Sequence, residues 1–239
     1  MNRLYSEGSR VLLFYGGEPF LWRDGVKRLP DLLSAAKTQG FICGLVTNGT
    51  IHAYDPLADF VLLSIDGLRE THDIIRGCSF DSIMNNLDCD DAKNVTAYMA
   101  VNQLNFREIR PLTTTIATNP RFSSISFNFH TPYAGTEYLT LADDQKKWAV
   151  SEILRLKREG YPVLNLPVAL NKYLSGEWDR PCPYNVVIDQ RQRYLCGRCS
   201  EAEKLCQQCG YMFAIEFSLL FNLQPRAIME ALTTYPRLT

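Results

Sequence analysis

Five short apolar runs recur along the first half of the chain: "RVLLFY" (10–15), "FICGLVT" (41–47), "DFVLLSID" (59–66), "NVTAYMAVNQ" (94–103) and "SSISFNFH" (123–130). They are apolar on both faces rather than alternating, which predicts strands buried between two layers. Helical patterns fill the gaps. "LPDLLSAAKTQG" carries Pro30 in its first turn and Gly40 as its stop. "SFDSIMNNL" (79–87) offers Ser79 as N-cap and sets Phe80, Ile83, Met84 and Leu87 on one face. "FREIRPLTTTIAT" is a poorer helix, because Pro111 is expected to interrupt it. "DDQKKWAVSEILRLKREG" (143–160) has acids in its first turn, bases in its last and Gly160 after it. "YPVLNLP" reads as one more strand, and the residues before Gly8 as the end of a helix. This alternation predicts an α/β chain with a parallel sheet covered by helices, either open or part of a barrel. In both, sites gather at the carboxyl ends of the strands.

Those ends share a chemical character. Gly16-Gly17-Glu18 follows the first strand, Thr47-Asn48-Gly49 the second and Ser64-Ile65-Asp66-Gly67 the third; Asn102 lies near the end of the fourth and Asn128 to His130 ends the fifth. Glycine lets a ligand approach the backbone, and acids or amides beside it orient an amine, a ribose or a carboxylate. Turn chemistry explains any one of these residues, but less readily all five ends together. His130 is the pocket candidate, with a structural histidine as the alternative; His72 and His52 read as loop residues.

Cysteine usage is lopsided. Cys43, Cys78 and Cys89 are scattered, whereas Cys182, Cys196, Cys199, Cys206 and Cys209 crowd the tail. Two close pairs, Cys196-x2-Cys199 and Cys206-x2-Cys209, suit four-coordinate Zn²⁺ or cubane iron, and taken in isolation the pattern favours zinc. Cys182 is the fifth candidate and the first to drop from the ligand set. Periodicity fades near "NKYLSGEWDRPCP", dividing a core (1–175) from a Cys-rich extension (176–239) with a hairpin, "YNVVIDQRQRYLC", and two short helices. A net charge of −1 and a pI near 6.3 give no field for nucleic acid or anionic membrane. With no apolar run of about 18 residues and no secretory core near the start, the expected location is cytoplasmic.

The landmarks "GGEP", "TNGT", "SIDGLRETHDIIRGCSFDSI" and "VNQLN", in that order, resemble those of the radical S-adenosylmethionine (radical SAM) superfamily, over residues 8 to about 170. The resemblance implies a partial (β/α)6 TIM-like barrel, in which a [4Fe–4S] cluster cleaves S-adenosylmethionine to a 5′-deoxyadenosyl radical. It implies that Gly16, Gly17 and Glu18 hold the methionine amino group, and that Thr47, Asn48, Ser64, Asp66 and Asn102 line the cofactor's site. Arg76 would pair with the methionine carboxylate, or serve only as a surface arginine at a helix entry. The family's Cys-x3-Cys-x2-Cys triplet does not occur here, so the chain is expected to lack the first β/α unit of the barrel and to be inactive as it stands. The tail is similar to SPASM/twitch extensions, which implies an auxiliary [4Fe–4S] cluster, with zinc as the alternative. A flavodoxin or ferredoxin would supply electrons, and the substrate, a small molecule or peptide, is unidentified. The rival expectation is a non-catalytic zinc-binding scaffold that keeps the barrel.

Overall fold

The computed structural model describes residues 1–90, 92, 94–180, 182–189, 192–197 and 203–235. Its elements are α1 (Asn2–Ser6), β1 (Val11–Phe14), α2 (Leu29–Thr38), β2 (Ile42–Thr47), β3 (Phe60–Ser64), α3 (Arg69–Arg76), α4 (Phe80–Cys89), β4 (Val95–Val101), α5 (Ile109–Thr118), β5 (Phe122–Phe129), α6 (Asp143–Arg158), α7 (Pro167–Ser175), β6 (Val186–Asp189), β7 (Gln192–Leu195), α8 (Glu203–Gln207), α9 (Met212–Phe221) and α10 (Pro225–Thr234). The first five strands form a parallel sheet in chain order, β1-β2-β3-β4-β5. Parallel strands in sequence order need a crossover between neighbours; α2, the pair α3 and α4, and α5 supply three of them, while β2 and β3 are joined by the helix-free loop 48–59. β6 and β7 form the antiparallel hairpin that the sequence predicts.

Residues 1–99 and 113–125 make one compact unit. Its centre is β2 and β3, whose Cys43, Leu45, Val61 and Leu63 are fully buried, with Leu33 and Ala36 of α2 and Ile83 and Leu87 of α4 equally enclosed. β1 is the edge strand. It bonds only to β2, and Val11, Leu13 and the neighbouring Ile42 stay substantially exposed.

Residues 100–112 and those from 126 onward make the second unit. Here no strand element forms over "YPVLNLP" (161–167): residues 161–166 run as a loop, and α7 begins at its last residue, Pro167. Pro167 sits in its first turn, where the missing N–H costs nothing. Its remaining free amides are served from far along the chain: Leu166 N–H donates to Glu216 of α9 (2.9 Å) and Val168 N–H to Glu230 of α10 (2.8 Å). Lys157 of α6 adds bonds to the carbonyls of Val163 and Asn165 and to Thr234.

Pro111 does not interrupt its helix. α5 runs unbroken over Ile109–Thr118 with Pro111 in the first turn, directly after the short 3-10 turn Phe106–Glu108. A proline there removes an N–H that has no partner within the helix anyway.

Glu216 is only 3% exposed, and burial raises its carboxyl pKa from 4.5 to about 7, against the lowering pull of Leu166 N–H and the Tyr235 hydroxyl. The folded state therefore keeps a proton that the unfolded chain has already lost, so stability falls as pH rises from about 4.5 to about 7 and then levels. Glu216→Gln keeps the bond from Leu166 N–H, reverses the one with Tyr235, whose hydroxyl oxygen then accepts from the amide, and removes the charge. Relative to the native chain it is expected to gain on the order of 3 kcal/mol between pH 5 and pH 8. Urea unfolding at the two pH values checks this, and a gain independent of pH would contradict it.

Candidate functional site

β1 ends at Phe14, and the chain turns through Gly16 (φ +92°) and Gly17 (φ +56°), left-handed conformations that only glycine adopts without strain. A Cβ built on either glycine would meet nothing within 4 Å, so open space lies before this turn. Glu18 follows and caps a short 3-10 turn by accepting from Phe20 N–H (3.2 Å). Its carboxylate reaches the end of β2. Oε1 accepts from the Thr47 hydroxyl and Oε2 from Asn48 N–H, both at 2.8 Å. Glu18 therefore latches two adjacent strand ends, and a carboxylate holding three donors still has lone-pair capacity for one more.

The Thr47 hydroxyl also accepts from Gly49 N–H at 3.0 Å. The Asn48 side chain is a turn device, its Oδ1 accepting from Thr50 N–H (2.9 Å) and the Thr50 hydroxyl (2.7 Å). His52 lies on the following loop, as expected, with Nδ1 3.4 Å from Asp90.

Around the end of β3 the block at 64–83 ties itself together. Ser64 and Asp66 are buried. Arg76, in the last turn of α3, donates through Nε to Asp66 Oδ2 at 2.5 Å. The guanidinium thus has a carboxylate in its own chain as partner. His72 is not a solvated loop residue. It lies on α3, completely buried, and burial holds its pKa below the ordinary histidine value. Its Nδ1 accepts from Asp66 N–H (3.2 Å), which leaves the proton on Nε2 to donate to the Ser79 hydroxyl (3.1 Å). Ser79 holds the N-cap position of α4 but does not cap it. Asp73 does, accepting from Ser79 N–H and Phe80 N–H, both at 2.9 Å.

Asn102 and His130 belong to the second unit. Asn102 is buried at the end of β4, where Oδ1 accepts from Leu104 N–H (2.9 Å) and Nδ2 donates to Ala100 O (3.0 Å). His130 follows β5; its backbone N–H bonds Val101 O (2.8 Å) and its Nε2 lies 3.0 Å from Thr136 O. These bonds give His130 a loop-closing role.

The tail docks on the end of β5. Phe129 N–H donates to Gly210 O (2.9 Å), Gly210 N–H to the Thr131 hydroxyl (3.0 Å) and Met212 N–H to Asn128 Oδ1 (2.9 Å). Cys182 and Cys209 are buried, and Cys196 and Cys206 half-buried. Cys199 lies outside the described residues. Among the described residues no three Cys, His, Asp or Glu side chains form a metal-holding group. No helix of the described residues is long and apolar enough to cross a membrane.

No family model matches the chain. Over 187 residues it is 31% identical to the Fe-coproporphyrin III synthase of Methanosarcina barkeri (strain Fusaro / DSM 804), an alignment covering 70% of this chain and 45% of that protein. The chain thus spans about half the length of the curated relative it matches. Among solved structures it is similar to native anSMEcpe with bound AdoMet, at a TM-score of 0.54 and 15% identity, covering 99% of this chain and 85% of the other. It is also similar to the same protein with AdoMet and the Cp18Cys peptide, at a TM-score of 0.53 and 15% identity, covering 97% and 86%. The structural likeness is one of fold; the identity to the synthase over 70% of the chain shows that the chain belongs to the radical SAM family.

Proposed function

We propose that this chain is the S-adenosylmethionine-binding part of a radical SAM enzyme. The observation that carries the reading is the Glu18 latch beside an open Gly16–Gly17 turn at the carboxyl end of a parallel strand. In this reading the remaining lone-pair capacity of Glu18 receives the methionine amino group, while Thr47 and the Asn48 amide hold the carboxylate still. Ser64 and Asp66 present oxygens to the nucleoside hydroxyls. Arg76 takes the methionine carboxylate only by sharing with, or leaving, Asp66.

The fold's radical-generating cluster supplies reductive cleavage of S-adenosylmethionine. The residues of this chain do not fit it, because no Cys-x3-Cys-x2-Cys triplet is present. The exposed Val11, Leu13 and Ile42 beside the open edge of β1 support a further strand there, completing a partial (β/α)6 barrel. The tail, from about residue 176, would hold an auxiliary [4Fe–4S] cluster on Cys196, Cys199, Cys206 and Cys209, with Cys182 as the spare thiol. Electrons would come from a flavodoxin or ferredoxin, in the cytoplasm. His130 stays at the border of the substrate pocket. The relative named a synthase of Fe-coproporphyrin III favours a tetrapyrrole substrate over the peptide of the more distant neighbour.

A zinc-binding scaffold is the second reading, favoured by the missing triplet. Anaerobic reconstitution of the whole chain followed by metal and sulfide analysis separates the two. About four iron and four sulfide per chain are expected; about one zinc and no sulfide would replace this reading with the scaffold.

A further inference from the structure

We propose that the first unit carries a further small-molecule site, which takes a zwitterion with an apolar body. Its ligand has the chemistry of an apolar amino acid, with the carboxylate on Arg28 and the ammonium on Asp55. The site does not depend on the cofactor reading.

A cavity of about 330 Å³ lies between the start of α2 and the loop 48–59, at the small end of ligand cavities, which run from roughly 300 to 1,000 Å³. Phe20, Leu29 and Tyr54 give it apolar walls, and the Phe20 ring meets the His52 ring edge-on at 5.2 Å. Two side chains of opposite charge line it as well, Arg28 and Asp55. Glu18 and the Gly16–Gly17 turn do not line it. All of these residues belong to the first unit.

Neither charged side chain meets a counter-charge among the described residues. Asp55 is only 6% exposed, and its Oδ1 accepts from Leu57 N–H (2.9 Å) within its own turn. Its Oδ2 has no hydrogen-bond partner, and no Lys, Arg or His pairs with it, among the described residues. Arg28 donates through Nη1 to the carbonyls of Gly25 (3.1 Å) and Lys27 (2.9 Å), which fixes the guanidinium. That leaves Nε and Nη2 without a protein partner among the described residues.

A buried carboxylate is ordinarily paired, because an unanswered charge is costly away from water. Arg28 and Asp55 share one cavity, yet no ion pair joins them. A simple anion on Arg28 would face the Asp55 carboxylate, and a simple cation on Asp55 would face the guanidinium. A ligand with both charges answers both walls: its ammonium donates to Asp55 Oδ2, and its carboxylate accepts from the planar fork of Arg28. The apolar walls then take its body.

Isothermal titration of the whole chain tests this with L-phenylalanine, hydrocinnamate (which lacks the ammonium) and phenethylamine (which lacks the carboxylate). L-phenylalanine is expected to bind, and each of the other two at least about tenfold more weakly, as loss of a charge-assisted bond predicts. Asp55→Asn still accepts from Leu57 N–H, and is expected to abolish the advantage over hydrocinnamate. Arg28→Gln is expected to abolish the advantage over phenethylamine, and Arg28→Lys to restore part of it. Equal affinity for the three compounds, or native-level binding in both Asp55→Asn and Arg28→Gln, overturns the proposal. If circular dichroism finds Asp55→Asn unfolded, native-level binding in Arg28→Gln overturns it alone. Failure of both L-phenylalanine and L-leucine to bind overturns it too, leaving two charges bridged by water only. S-adenosylmethionine, which carries the same two charged groups, is not expected to displace L-phenylalanine; displacement would put both in one site and defeat the proposal. Its own titration separately reads the proposed function: S-adenosylmethionine binding without L-phenylalanine binding defeats only this site, and the reverse defeats only that reading.

Discussion

Glu18→Ala is expected to weaken S-adenosylmethionine binding at least about tenfold, as loss of a charge-assisted bond to the ligand's amine predicts. Isothermal titration of the whole chain with the cofactor measures it. The same substitution removes the acceptor for Thr47, Asn48 N–H and Phe20 N–H, so it also costs stability, on the order of 2–3 kcal/mol. Thr47→Val separates the two effects. It breaks the bond to Glu18 Oε1 and leaves the carboxylate in place, so about 1–2 kcal/mol of stability should go with a smaller loss of affinity. Unchanged affinity in a folded Glu18→Ala chain would reduce this residue to a latch between β1 and β2, and the proposed amine site would fall with it.

Gly210→Ala is the second large effect. A Cβ at this position would sit 2.0 Å from the Phe129 carbonyl oxygen and 2.5 Å from its carbon. Both neighbours are backbone of β5, which has no rotamer to yield with. The substitution must push the chain off the strand, breaking the bond between Phe129 N–H and Gly210 O and disturbing the neighbouring bonds to Thr131 and Asn128. A cost of about 3 kcal/mol or more is expected, with weakened metal retention because Cys209 is the preceding residue. Thermal unfolding and chelator competition read the two parts. A native melting temperature would mean that the tail does not pack on β5 in this way.

The parallel sheet was legible because β1, β2 and β3 are apolar on both faces. Thr47, Ser64 and Asp66 at their carboxyl ends could be picked out by the same logic. What escaped was set by partners distant in sequence. α3 gives no apolar signal, since its buried residue is His72, whose ring is satisfied by Asp66 N–H and the Ser79 hydroxyl. The residue type suggested a solvated loop, and only the fold supplies the two bonds that let a neutral imidazole be buried. The stretch before α7 reads as a strand because Val163, Leu164 and Leu166 are buried as a strand's residues would be, while Pro167 marks the first helical turn of α7. The glycine turn of "GGEP" was legible at the end of its strand, but not the duty of its acid, which is to hold the next strand end.

The start of α7 also says something about the order of events during synthesis. Its two amides are served by carboxylates 50 and 62 residues downstream. When α7 leaves the ribosome, neither Glu216 nor Glu230 has been made, and water must solvate those groups until α9 and α10 follow. The second unit therefore closes from its carboxyl end, and a ribosome stalled before residue 216 would display an unfinished fold to chaperones and proteases.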